Sequence, residues 1–85
     1  MAVRLLYFAW VREKVGRAEE MVDLPAGLAT VADLMGWLAT RGPEYAEAFA
    51  RADVIRSALD QAHVQPTASI AGAREIAFFP PVTGG

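Results

Sequence analysis

The strongest constraint in this sequence is its last ten residues, Ile76-Ala77-Phe78-Phe79-Pro80-Pro81-Val82-Thr83-Gly84-Gly85. Arg74 to Phe79 is apolar and aromatic after its first two residues and reads as a strand. Pro80-Pro81 must end that strand, because proline has no N–H to give a ladder and its ring fixes φ. Four small or β-branched residues follow, and the last two carry no Cβ. Stretched out, the six residues from Pro80 to Gly85 reach roughly 20 Å at about 3.3 Å each. A tip without side chains can enter a channel too narrow for any other residue. The pattern predicts a folded body with a protruding C-terminal tail over residues 80–85, mobile when the protein is alone, because small residues have no core to join.

Eighty-five residues specify one domain, 1–85, with enough chain to bury one modest core. Ala2 to Trp10 reads as the first strand, with Val3, Leu5 and Tyr7 on one face and Leu6, Phe8 and Trp10 on the other. Two apolar faces imply either a central strand covered on both sides or one face left open for a partner. Trp10 to Val15 is predicted as a short helical turn closed by Gly16. Glu19 to Leu24 is a second strand, ended by Pro25 and paired antiparallel to the first across a long connection. Thr30 is the expected N-cap of the main helix, with Asp33 completing a capping box. Val31, Leu34, Met35 and Leu38 form its apolar stripe, and Gly42-Pro43 stops it. Gly36 inside it is expected to mark a close approach to the sheet. A second short helix is predicted from Glu44 to Arg51, a third strand from Val54 to Leu59, and an Asp60-Gln61 turn into a short strand around His63-Val64. Pro66 to Ala73 reads as loop. The element order defines an α+β class, a sheet with helix packed on one face.

Conventional catalytic groups are scarce. Cysteine is absent, which removes disulfides, thiolate metal ligands and thiol nucleophiles and fits a reducing cytosol. His63 is the only histidine and has no partner ligand at metal spacing, so no metal site is expected. Ser57 and Ser69 lie in no nucleophile elbow, and no phosphate-cradling glycine loop occurs. Glu19-Glu20 reads as a solvated strand edge, and Trp10 and Trp37 read as core or interface. A net charge of −2 and pI near 5.2 argue against a nucleic-acid footprint. The longest apolar run, Leu5 to Val11, is too short to span a membrane, and the first residues lack a signal-peptide pattern, so a cytoplasmic location is expected. The one remaining chemical group is the α-carboxylate of Gly85, a poor electrophile until another enzyme activates it.

The tail Ala77-Phe78-Phe79-Pro80-Pro81-Val82-Thr83-Gly84-Gly85 closely resembles the C-terminal signature of the small subunit of molybdopterin synthase, the MoaD family of sulfur carriers. Val3 to Glu13 is similar to that family's opening strand and its Arg-Glu turn. The Thr30-Val31-Ala32-Asp33-Leu34 helix start and Ala58-Leu59-Asp60-Gln61 also fit, with Asp60 standing where the family usually has Asn. One departure is visible. Gly72-Ala73-Arg74-Glu75 replaces a common Gly-Asp-Glu, which puts the turn before the last strand in question.

The resemblance implies a β-grasp, ubiquitin-like fold and a sulfur carrier for molybdenum cofactor biosynthesis. It implies an adenylating, E1-like partner that uses ATP on Gly85, a C-terminal thiocarboxylate, and a large synthase subunit that supplies the catalytic pocket and receives the tail. No cofactor is expected to be bound by the chain itself, and neither nucleic acid nor membrane is an expected partner. Gly85 is the implied chemical centre and Gly84 the steric key. Phe8, Phe79 and His63 are expected to line one exposed sheet patch for partners, with Pro80, Pro81, Val82 and Thr83 contributing along the tail. Other readings are a carrier for thiamine, tRNA or cysteine synthesis, a ubiquitin-like modifier, and an interaction module that never activates Gly85. The single lysine, Lys14, makes chain building on itself an unfavoured role.

Overall fold

The computed structural model describes residues 2–81. The chain opens with β1, Ala2–Tyr7, whose residues alternate cleanly: Val3, Leu5 and Tyr7 are buried, Ala2 and Arg4 exposed, and Leu6 half-buried. Thus one face of the strand is covered and the other is open. The strand stops three residues before Trp10, where the apolar run placed its end. Ala9 takes φ 51, a left-handed conformation that breaks the ladder and swings the chain into α1, Ala9–Val15. Trp10 therefore packs as a half-buried helix residue and not on the sheet's second face. Gly16, at φ 89, caps α1 by donating its N–H to the Arg12 carbonyl, the left-handed C-terminal geometry that glycine adopts without penalty.

β2, Glu19–Asp23, returns antiparallel to β1 with Val3 opposite Val22 and Leu5 opposite Glu20. The main helix α2, Val31–Leu38, starts where its cap demands. The Thr30 hydroxyl accepts from the Asp33 N–H at 3.2 Å, and the Asp33 carboxylate accepts from the Thr30 N–H at 3.1 Å. The Ala29 N–H, at 3.0 Å, and then the Thr30 N–H both donate to the Asp33 carboxylate and hold it below its ordinary pKa. Val31, Leu34, Met35 and Leu38 are all buried, as their spacing requires. The helix ends at Leu38, short of Gly42. Gly42 and Pro43 open the second short helix, α3, Pro43–Ala48, with proline in the first turn where its missing N–H leaves nothing unsatisfied, and the helix ends before the expected Arg51. Gly36 is exposed, and a Cβ built on it meets nothing within 4 Å, so it marks no close approach.

A 3-10 turn at Ala52–Val54 takes the first residue expected of the third strand, and Ile55 leads from it into β3, Arg56–Leu59. Asp60 and Gln61, at φ 48 and 73, turn the chain into β4, Ala62–Val64. β5, Glu75–Phe79, is central: it pairs parallel to β1 and antiparallel to β3, giving the order β2-β1-β5-β3-β4. This mixed sheet, with a hairpin at its start, helices packed on one face and a parallel final strand slotted beside the first, is the β-grasp architecture. The turn before β5 closes without the Gly-Asp-Glu sequence. Asp60 Oδ1 accepts from both the Arg74 and Glu75 N–H groups at 3.0 Å, and Arg4 N–H reaches the Arg74 carbonyl at 2.9 Å.

The core is one cluster. Tyr7 stacks on Phe78 at 6.1 Å, and Phe49 meets Phe78 edge-on at 5.2 Å. Its polar margin is Glu20, which proves to be no solvated edge residue. The Glu20 side chain is 7% exposed, and its Oε2 accepts from Tyr7 Oη at 2.7 Å, Tyr45 Oη at 2.8 Å and Arg41 Nη1 at 3.0 Å. Arg17 reaches Oε1 at 3.3 Å. Arg41 in turn lies over the Tyr45 ring at 4.7 Å and the Trp37 ring at 5.4 Å. Burial alone would raise the Glu20 carboxyl, but the three hydrogen bonds and the Arg41 charge outweigh it and hold the group below its ordinary pKa. Burial, and then the bond to Glu20, push the Tyr7 phenol up.

A carboxyl depressed in the folded state adds stability that is present above its unfolded pKa and is lost as pH falls through the folded value. Acidification below about pH 4 is therefore expected to weaken the wild type, and Glu20→Gln should flatten that acid limb. Glu20→Ala strands two phenols and a guanidinium, and is expected to cost about 3 kcal/mol, lowering the melting temperature by about 15 °C at neutral pH. Thermal melts of the three proteins across pH check both outcomes.

Candidate functional site

The site follows from the parallel pairing of β1 and β5. Tyr7 lies opposite Phe78, and the Phe8 N–H continues the ladder to the Phe78 carbonyl at 3.0 Å. Both strands end on the same side of the sheet, so Phe8 sits next to the point where Pro80-Pro81 leave β5. Phe8 is 47% exposed, unusual for so large an apolar side chain. On the other flank, β3 runs antiparallel, which puts Arg56 opposite Phe79. His63 is exposed on β4, and its ring lies 5.2 Å from that of Phe79.

The helix-free face has a legible register. Leu6 pairs with Glu19 on one side and Ala77 on the other; Ala77 pairs with Ala58, and Ala58 with His63. Side chains in such a row share a face. The row therefore carries an apolar centre, with Ala58 and Ala77 small enough to be shielded by their neighbours at 6% and 9% exposure. Arg4 lies two residues before Leu6, between Glu19 and Glu75 at 3.8 Å each. Phe79 closes the other end. The result is a shallow, open, mostly apolar surface that leads to the tail root.

Of the residues singled out in the sequence, the structure brings Phe79 and His63 into ring contact and places the Phe8 backbone on the same ladder end. Pro80 and Pro81 follow β5 outside the strand and are half-exposed. Val82, Thr83, Gly84 and Gly85, with the expected mobility of the tail, lie outside the described residues. Among the described residues no group of three His, Asp or Glu side chains is placed to hold a metal ion, and no helix is long and apolar enough to cross a membrane. Two features escape the sequence. Arg56 stands in a strand that is otherwise uncharged, a signal that its side chain faces outward at the end of the sheet. Ser57, 4% exposed, has a hydroxyl oxygen without a partner among the described residues.

A mixed five-stranded sheet in the order β2-β1-β5-β3-β4, with helices on one face and the other face open, defines a ubiquitin-like β-grasp protein. The chain belongs to the ThiS family, whose model matches residues 5–85. It is 34% identical over 83 residues to the molybdopterin synthase sulfur carrier subunit of Escherichia coli and 32% identical to that of Haemophilus influenzae, in each case over 98% of this chain and 99% of the relative. Among solved structures, SAMP1 from Haloferax volcanii superposes with a TM-score of 0.71 at 26% identity, with both chains covered in full. A putative molybdopterin converting factor subunit 1 from Pyrococcus furiosus shares the fold, with a TM-score of 0.66 at 23% identity over 96% of this chain and 99% of that one.

If the open face binds a protein, the exposed Phe8 and the half-buried Phe79 should carry much of the energy. Phe8→Ala is expected to weaken partner binding by about 2 kcal/mol or more with the fold intact, and Phe79→Ala by a similar amount. Calorimetric titration beside circular dichroism checks this; unchanged affinity in both variants removes the patch.

Proposed function

We propose that the protein is a sulfur carrier of molybdenum cofactor biosynthesis, the small subunit of a molybdopterin synthase. The observation that supports this most is the match over 98% of this chain to two proteins named as sulfur carrier subunits of that enzyme, beside a family match that runs through residue 85. The geometry is compatible: β5 is locked between two neighbours, and two prolines set the tail off from it.

In this reading the Gly85 carboxylate is the reacting group. A carboxylate oxygen attacks the α-phosphorus of ATP on an adenylating, E1-like partner, and pyrophosphate leaves. Hydrosulfide-level sulfur then attacks the acyl carbon, the C–O bond to AMP breaks and AMP leaves, giving a thiocarboxylate. The loaded tail enters the large subunit, where its sulfur passes to a pyranopterin precursor. Both sites must exclude water from an activated acyl group, and Gly84 and Gly85 keep the tip slim enough for that. No catalytic pocket of the chain's own is required, and the ATP is bound by the partner. The absence of cysteine is compatible, because the sulfur is loaded from outside. Protein conjugation through the same activated Gly85 is the alternative fate of the acyl-adenylate.

Deleting Gly85 is expected to abolish thiocarboxylate formation while leaving the melting temperature within about 2 °C, since the tip lies beyond the core strands. Adding one residue after Gly85 should do the same by shifting the carboxylate out of register. Intact-mass measurement after incubation with the adenylating enzyme, ATP and a sulfur donor reads the exchange of one oxygen for sulfur. A Gly85 deletion that still accepts sulfur overturns the carrier mechanism.

A further inference from the structure

Between the 3-10 turn, the start of β3 and the end of β4 lies a cleft of about 330 Å³, lined among others by Asp53, Ile55, Arg56, His63 and Gln65. It opens beside the tail root, because Arg56 is paired with Phe79 and His63 touches the Phe79 ring. The lining combines a guanidinium, an imidazole, a carboxamide and one carboxylate. That carboxylate is already engaged: Asp53 accepts from Arg51 at 3.1 Å and 3.2 Å, a two-point contact that holds its carboxyl low. Arg56 has no acidic partner among the described residues. At the far end of the same face, Arg4 is flanked by two glutamates. The uncompensated strand cation therefore stands at the tail end of the open surface.

We infer that this cleft is a socket for a carboxylate side chain projected by the large subunit that receives the tail, with Arg56 as its charge partner and His63 and Gln65 beside it. The inference rests on the carrier reading. A guanidinium fork fits a carboxylate in two-point geometry, and because Arg56 is exposed at the cleft mouth the pair stays within reach of dissolved salt. The cleft has room for one acidic side chain and its ordered water. The protein's net charge of −2 disfavours a wholly acidic partner at long range, so a single cation at the tail root selects orientation more than raw attraction. A carboxylate seated there fixes the approach of the partner relative to the exit of β5, and so the register at which the tail enters.

The test titrates the full chain with the large molybdopterin synthase subunit of the same organism, at about 50 mM and about 1 M salt, where the screening length falls from more than 10 Å to about 3 Å. Arg56→Gln is expected to weaken binding about tenfold at low salt, with the gap closing to below about twofold at high salt. Arg56→Glu should weaken it further. Lys14→Gln removes the same charge where α1 meets α3, and should stay within about twofold of wild type. Arg56 is exposed, so melting temperatures should match. Wild-type affinity in Arg56→Gln, an equal loss at both salts, or an equal loss in Lys14→Gln overturns the socket while leaving the carrier reading standing. Failure of the wild-type chain to bind overturns both.

Discussion

Everything in this molecule depends on the parallel ladder between β1 and β5. Parallel neighbours need a long connection, and here the connection is most of the chain: α1, the antiparallel return of β2, α2, α3, a 3-10 turn and the β3–β4 hairpin lie between Tyr7 and Glu75. Because the two strands run the same way, the first strand's exit and the last strand's exit fall side by side. One ladder thus gathers Phe8, the tail root and, through β3, Arg56 into one neighbourhood. The ladder is held from beneath by the Tyr7–Phe78 stack and by Phe49. Non-local contacts of this kind form late in folding, after the loop entropy has been met.

Much of this was legible in the sequence. The capping box at Thr30, the apolar stripe of α2, the stop at Pro80 and the turn at Asp60-Gln61 are local features with local causes, and each appears where its residues require. The boundaries that moved had tertiary causes. Phe8-Ala9-Trp10 continues an apolar run, but a left-handed Ala9 turns it into a helix. Val54 looks like strand and is used in a 3-10 turn. Glu20 looks solvated because its partners, Tyr7, Arg41 and Tyr45, are distant in sequence. No periodicity reports a carboxylate that three separate elements converge on.

The candidate site divides along the same line. The tail and the aromatic residues at its root announce themselves by residue type and order. The cleft beside them does not, because it exists only once β3, β4 and the 3-10 turn meet. Similarly, the apolar centre of the open face depends on alanines at 58 and 77, which carry no functional signature. Their smallness keeps the face shallow between Leu6 and His63, so a flat partner surface can lie across it without a cavity.

The central position of β5 has a mechanical consequence. A tail seated deep in another protein exerts tension on its root whenever the two bodies move apart. That tension runs along β5 and is opposed by hydrogen bonds to β1 on one side and β3 on the other. The bonds are loaded together in shear, so none is peeled open in turn. Had the tail grown from an edge strand such as β4, a single ladder of three residue pairs would oppose the same pull. A pull on whatever follows Phe79 is therefore shared by two ladders, and the sheet acts as the anchor.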